Sequence, residues 1–374
     1  FNGDGYADLA VGAVEYVSNE QGAIYIFHSK GDSGITATQV ANADMTLAGE
    51  NAGDLFGFAV TSGDVNGDGY DDLIASAHSF PSYGGNGKLY IFYADSSNGI
   101  NNVSYTNQQT VEDSNNNAGY LGLSLASGDI NGDGYSDIIA GAPNFGHGRV
   151  FIIYSSGSSG IATNEISDTS ISSLHGEASG DFFGESVAVA DVNNDGYDDI
   201  AIGAMHYSSD KGAVYVFNSP GSGGFIKQPS IVLTATATTK IYGETINTNL
   251  GRSVLMSDIN GDGNADLIAS AHKGNIVYGF HSTGSGINSV LLNQANAIIS
   301  GTSEIDFGYS LSMADLNNDG YFDCIVGSPL YNNNGRAYVF LSSGENGYTI
   351  SSYTEADIIL NNMFTGEFAW SLSH

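Results

Sequence analysis

The segment Asp64-Val-Asn-Gly-Asp-Gly-Tyr-Asp-Asp72 puts side-chain oxygens at its first, third, fifth and ninth positions and a glycine at its sixth. Alternate residues of a tight loop can all turn inward where glycine permits the bend, and the seventh residue's carbonyl then adds a fifth oxygen. That donor set suits a hard cation, Ca²⁺, which takes six to eight oxygens at roughly 2.3–2.6 Å. The pattern recurs along the chain. Its copies make metal-binding candidates of Asp64, Asn66, Asp68, Tyr70 and Asp72; Asp129, Asn131, Asp133, Tyr135 and Asp137; and Asp191, Asn193, Asp195, Tyr197 and Asp199. Two further copies add Asp258, Asn260, Asp262, Asn264 and Asp266, then Asp315, Asn317, Asp319, Tyr321 and Asp323. A copy lacking its opening Asp contributes Asn2, Asp4, Tyr6 and Asp8. About six Ca²⁺ sites are expected on this pattern. The bidentate twelfth-position Glu of an EF-hand is missing and the flanks are not helical, so a helix-loop-helix site is excluded.

Loops of this kind must be held by regular elements. After each comes a short apolar run, such as Leu73-Ile74-Ala75, Ile138-Ile139-Ala140 or Ile200-Ala201-Ile202, which reads as a buried strand. About a dozen residues later a second run follows, as in Leu89-Tyr90-Ile91-Phe92 and Val214-Tyr215-Val216-Phe217, with the branched and aromatic residues that strands prefer. A third run precedes each loop, as in Phe183-Gly184-Glu185-Ser186-Val187, and a weaker fourth lies between units. One period therefore supplies four strands. The opening aspartates are 65, 62, 67 and 57 residues apart. Four short antiparallel strands in each repeat of this size predict an all-β fold, a β-propeller with one blade per unit.

The chain begins within one loop, at Phe1, and ends at Gly366–His374, a first strand without its blade. Joining the two in one sheet predicts six blades with ring closure by the N- and C-terminal segments, which would leave no open edge. A seven-bladed ring, or an excerpt from a longer array, stays open. No Pro-rich or Ser-rich linker divides the chain, so residues 1–374 are expected to form one domain.

Phe-Gly-x-Ser-Val followed by Asp-x-Asn-x-Asp-Gly-Tyr-x-Asp and Gly-Ala resembles the FG-GAP repeat of integrin alpha chains. The best matches are Phe183–Ala204 and Leu121–Pro143. Departures are Ser76-Ala77 and Ser270-Ala271 in place of Gly-Ala, Leu250-Gly251 in place of Phe-Gly, Phe368-Ala369 in the last unit, and Asn264 at a position held by Tyr elsewhere. None removes a carboxylate. Integrin propellers have seven blades and some of them carry calcium; six competent loops are more similar to non-integrin FG-GAP proteins.

Nine Lys and Arg against 41 Asp and Glu give a net charge of −32, which six bound Ca²⁺ would reduce to −20. Phosphate binding needs cationic neutralisation, so nucleic acid and anionic membrane surfaces are excluded as partners. Nothing approaches the length of an apolar membrane span, and no insertion is expected. The lone Cys324 cannot form an intramolecular disulfide and reads as a small buried hydrophobe. An extracellular, secreted or surface-displayed location would supply millimolar calcium and salt to screen the charge. In each loop calcium would offset the repulsion of three or four gathered carboxylates, a structural role.

The resemblance implies that calcium loops lie on the lower rim and that the connections after Gly-Ala lie on the upper face. Those connections carry Tyr16, His78, Tyr83, Phe145, His147, His206, Tyr207, His272 and Tyr331, a recurring aromatic or His that would contact a protein or glycan ligand. The alternative is that these residues pack on their own blades. Lys88, Arg149, Lys211, Lys273 and Arg336, five of the nine basic residues, precede equivalent strands and read as structural partners of neighbouring acids. No Gly-x-Ser-x-Gly elbow, Walker loop or zinc spacing is present, so no catalytic residue is assigned. The expectation is a non-catalytic adhesion or ligand-binding module flanked by other domains. The alternative is an accessory or catalytic domain of an enzyme acting on extracellular polysaccharide or lipid.

Overall fold

Branched and aromatic runs closed by glycine turns become strands here, because a pleated, half-buried surface accommodates them best. The computed structural model describes residues 1–15, 19–37, 39–95, 99–100, 108–114, 119–225, 232–288, 291–301, 306–342, 344, 347–348 and 351–361. The fold is all-β, a β-propeller whose six blades are antiparallel sheets of four-stranded type. The chain divides into two compact units, Phe1–His175 with Phe225–Val232, and Gly176–Gly224 with Leu233–His374.

The first unit holds three blades. The first is β1 (Leu9–Ala13), β2 (Ala23–Phe27) and β3 (Met45–Ala48). The second is β4 (Phe56–Gly63), β5 (Asp72–Ala77), β6 (Lys88–Phe92) and β7 (Gln109–Glu112). The third is β8 (Ser124–Gly128), β9 (Asp137–Ala142), β10 (Arg149–Ile153) and β11 (Ser172–His175). The fourth strand expected for the first blade, in Gly366–His374, lies outside the described residues, as does the closure it would make.

The second unit repeats the plan with β12 (Phe183–Ala190), β13 (Asp199–Ala204), β14 (Ala213–Phe217) and, after the two-residue β15 (Val232–Leu233) that pairs with β11 as a fifth strand of the third sheet, β16 (Thr239–Tyr242). Its next blade is β17 (Leu250–Ser257), β18 (Asp266–Ala271), β19 (Ile276–Phe280) and β20 (Ala297–Ser300). Its last is β21 (Leu311–Ala314), β22 (Asp323–Ser328), β23 (Arg336–Phe340) and β24 (Ile358–Asn361). Among the described residues the α-helical content is a single four-residue turn, Tyr207–Asp210, whose Ser208, Ser209 and Asp210 have φ of 50°, 64° and 60°.

Burial follows position within the blade. The strand after each loop is wholly buried in β5, β9, β13 and β18, whereas β1 is largely exposed and the outer β24 is exposed throughout. The phenylalanine that opens a blade packs edge-on against the tyrosine of its third strand: Phe56 on Tyr90 at 5.2 Å, Phe183 on Tyr215 at 5.5 Å, Phe307 on Tyr338 at 5.4 Å. Such pairs add about 0.5–1.5 kcal/mol each beyond the area they bury. Cys324 is buried on β22, and burial pushes its thiol up to about 12, so it is inert there.

Candidate metal loops and ligand face

Each loop is closed by its own oxygens. Asp64 accepts the Asp68 and Gly69 amides at 3.1 and 2.8 Å, Asn66 accepts the Asp68 amide at 2.9 Å, and Asp68 accepts the Tyr70 amide at 3.0 Å. The loops opened by Asp129, Asp191, Asp258 and Asp315 repeat this network within 0.1 Å at the sixth-position amide, 2.8, 2.8, 2.8 and 2.9 Å. The ninth-position Asp of these five loops is wholly buried and ties the loop to the residue two past the end of the third strand. Asp72 accepts from Val65 and Ala94, Asp137 from Ile130 and Ser155, Asp199 from Val192 and Ser219, Asp266 from Ile259 and Ser282, Asp323 from Leu316 and Ser342. Asp8, in the loop that lacks an opening Asp, accepts from Asn2 and Ser29.

Among the described residues no three Asp, Glu, His or Cys side chains converge closely enough to hold a metal by themselves. The donor chemistry nonetheless fits a hard cation. Burial, opposed by the two backbone hydrogen bonds and reinforced by the charges of Asp68 and Asp64, pushes the Asp72 carboxyl up to about 7. Asp137, with Asp133 and Asp129 beside it, is pushed up to about 8, and Asp199 and Asp266 to about 7, by the same causes. A cation at the loop would lower all four, because it favours the ionised form. Each carboxylate oxygen that accepts one amide still has a lone pair to offer.

A regularity in these loops escaped the sequence reading. The glycine at position four makes room for the next loop's seventh-position tyrosine. A Cβ on Gly3 would lie 2.1 Å from the Tyr70 ring, one on Gly67 2.2 Å from Tyr135, and one on Gly261 2.3 Å from Tyr321. The loop with Asn194 at that position is followed by the loop with Asn264, which has no tyrosine to accommodate. Tyr70, Tyr135 and Tyr321 are therefore packing residues by side chain.

The ligand-face candidates scatter. Tyr83 is 64% exposed and His147 is exposed, while Phe145, His206, Tyr207 and Tyr331 are half-buried. His78 and His272 are buried, at 7% and 4%, and pack against Phe58 at 4.1 Å and Tyr309 at 5.5 Å. Tyr16 lies outside the described residues. The basic residues account for much of this. Arg149 stacks on Phe145 at 4.0 Å, Arg336 on Tyr331 at 3.6 Å and Lys88 on Phe80 at 4.5 Å, so these aromatics are held by their own blades. Lys88 also pairs with Glu50 at 2.9 Å.

The second unit contains a cavity of about 640 Å³ that the sequence reading missed apart from His206 and His272. Its base is formed by the residue that follows Phe-Gly or Leu-Gly in three successive blades: Glu185, Arg252 and Tyr309. Arg252 pairs with Glu185 at 2.8 Å and stacks on Tyr309 at 4.1 Å. Burial raises the Glu185 carboxyl while Arg252 opposes that rise. The available signal was the change at this position from apolar Phe58 and Leu123 in earlier blades to polar or charged residues here.

Five segments, residues 1–27, 56–92, 121–160, 183–217 and 307–340, match the FG-GAP repeat family. The chain carries FG-GAP repeats. It is 33% identical over 238 residues to human phosphatidylinositol-glycan-specific phospholipase D, covering 58% of this chain and 27% of the phospholipase. It is 33% identical over 207 residues to integrin alpha-3 of Cricetulus griseus, covering 52% of this chain and 18% of the integrin. The chain thus spans about a quarter or less of these relatives. A solved structure, that of the Dos1 propeller, aligns at 10% identity and TM-score 0.46 over 91% of this chain and 66% of that one.

The FG-GAP letters have a physical reading in the close approach of successive blades. A Cβ on Gly12, in the Gly-Ala of one blade, would lie 1.9 Å from the carbonyl oxygen of Gly57 in the next blade's Phe-Gly, and one on Gly203 would lie 2.0 Å from that of Gly251. The glycine of Phe-Gly sits at positive φ, +84° at Gly57 and +87° at Gly251, beside the bulge at the start of the strand. The departures are compensated. Ser76 and Ser270 stand in for the Gly of Gly-Ala, and their hydroxyls accept the Ala59 and Ser253 amides, both at 3.1 Å, across the bulge. The blade at β17–β20, which carries the Leu250-Gly251 and Asn264 departures and falls outside the family match, keeps the same strand order.

Proposed function

We propose that this FG-GAP protein is a calcium-stabilised propeller module that works outside the cell as a non-catalytic receptor for a protein or glycan ligand. The observation that carries the reading is the ninth-position aspartate, which in five blades is buried and bonded at once to its loop and to the segment just after the third strand. A cation gathered at such a loop would clamp strand to strand, a structural use of metal. With an affinity of about 10⁻⁴ M in millimolar calcium, each site would contribute about 1.4 kcal/mol and six about 8 kcal/mol, a whole domain's stability. The similarity to integrin alpha-3 supports an adhesive role and an extracellular or surface location.

The similarity to phosphatidylinositol-glycan-specific phospholipase D supports a second reading, a propeller accompanying a lipid- or polysaccharide-degrading domain. One experiment separates the two. The protein is presented in calcium to arrays of extracellular proteins and glycans, and to polysaccharide and glycolipid panels with product analysis. Retention of a ligand without product, abolished by chelator, is the expected result. Product release from any panel would overturn the non-catalytic reading.

A further inference from the structure

The cavity of the second unit brings together a set of groups outside the calcium loops. Around Glu185, Arg252 and Tyr309 stand His206 and Asp210 from the turn after β13, Asn247 and Asn249 from the connection before β17, and Lys273 from the turn after β18. Two of the chain's nine Lys and Arg are here. Both cations already have a counter-charge, Arg252 with Glu185 at 2.8 Å and Lys273 with Asp306 at 2.7 Å, and His206 Nδ1 lies 2.6 Å from Asp210 Oδ1. Neither cation is left unpaired to attract an anion. What the cavity does offer is a dense mixture of N–H donors and carboxylate or amide acceptors, with an aromatic ring in the base.

His272 adds an independent sign of a ligand. It is 4% exposed, lines the cavity, and its Nδ1 has no hydrogen-bond partner. A buried ring nitrogen left unpaired costs about 1–3 kcal/mol, and a ligand hydroxyl toward which the ring turns, able to donate or accept, would recover that cost whichever tautomer is present.

We infer that this cavity is a binding site for an uncharged saccharide, one or two sugar rings whose hydroxyls meet His272, Asp210 and Asn247 while an apolar ring face lies toward Tyr309. Neutral sugars match the site because each hydroxyl both donates and accepts, as the mixed lining requires. A uronate or sulfated sugar would meet Glu185 and Asp210 in a chain of net charge −32 with no unpaired cation to offset the repulsion. The volume of about 640 Å³ lies within the usual range for small-ligand sites. This assignment rests on the binding-module reading and narrows it to one ligand class and one place.

The test is titration calorimetry of the calcium-loaded protein against neutral hexose and pentose oligosaccharides and matched uronate-bearing ones, at low and high salt. Two variants keep the fold. Asn247 has φ 58°, so Asn247→Gly removes the side chain without strain, and Met205→Trp fills the half-buried cavity wall. Saturable binding of a neutral oligosaccharide is expected, insensitive to salt and weakened about fivefold or more in Asn247→Gly, with a larger loss in Met205→Trp, at unchanged melting temperature. Binding that neither variant alters would overturn the cavity assignment while leaving the binding-module reading intact. A preference for uronate ligands, or no saccharide binding in a protein that still captures a protein ligand, would equally overturn the inference and spare that reading.

Discussion

At the scale of single residues, the buried polar groups decide most. Asp137 accepts two amides from a site with no exposure, and an amide side chain can accept both only through one oxygen. Asp137→Asn is therefore expected to lower stability in calcium by about 2 kcal/mol, read by chemical denaturation, and to remove one site from the calcium stoichiometry. His78 gives a pH test. Burial pushes it down to about 4, against about 6.5 in an unfolded chain. Above about pH 6.5 neither state binds the proton and His78 contributes no pH dependence. Between about 6.5 and 4 the unfolded chain alone binds it, so stability falls on acidification by about 1.4 kcal/mol per pH unit. His78→Phe, between the Phe58 and Tyr120 rings, should abolish that loss. The stability difference, variant minus parent, should move about 2 kcal/mol in the variant's favour between about pH 7 and about pH 5. A constant difference would contradict the buried neutral assignment. The metal loops were legible at this scale because oxygen donors at fixed spacing leave a pattern in a single segment. The burial of His78 and His272 was not, because a histidine in a connecting loop looks the same in sequence whether it faces solvent or a neighbouring ring.

At the scale of elements, the blade is a unit whose strands can be read from apolar runs, and whose contacts with the next blade cannot. The runs predicted for the second, third and outer strands appear as β5, β6 and β7 and their counterparts, in the expected order. What the runs do not reveal is that Gly203 must be glycine because the next blade's Gly251 carbonyl occupies the place of its Cβ. Gly203→Ala is expected to cost about 3 kcal/mol or more, since backbone rather than a flexible side chain must move. Ser270→Gly should cost less, about 1 kcal/mol, because the lost hydroxyl frees one strand amide that sits half-buried. A thermal or denaturant melt that ranks the two in the opposite order would contradict this packing role. The base of the second unit's cavity was hidden for a related reason. Glu185, Arg252 and Tyr309 are each a full repeat apart in sequence, 67 and 57 residues, and it is their equivalent place in three successive blades that brings them together.

At the scale of the molecule, repetition made the fold class readable, because a period that supplies four strands and one loop has few ways to bury both faces of each sheet. The same repetition concentrates charge. At their first, fifth and ninth positions the loops gather 17 of the 41 acidic residues, so a chelator-stripped protein should gain melting temperature as monovalent salt screens their repulsion, and the gain should shrink once calcium is present. A salt response identical with and without calcium would place the destabilising charge outside the loops. The most direct measurement is calcium titration of the stripped protein, followed by calorimetry and by the melting curve in parallel. Binding of about six ions, each addition raising the melting temperature and magnesium failing to substitute, is the expected result. A melting curve that does not move, with no heat of binding at millimolar calcium, would contradict the metal-clamped propeller.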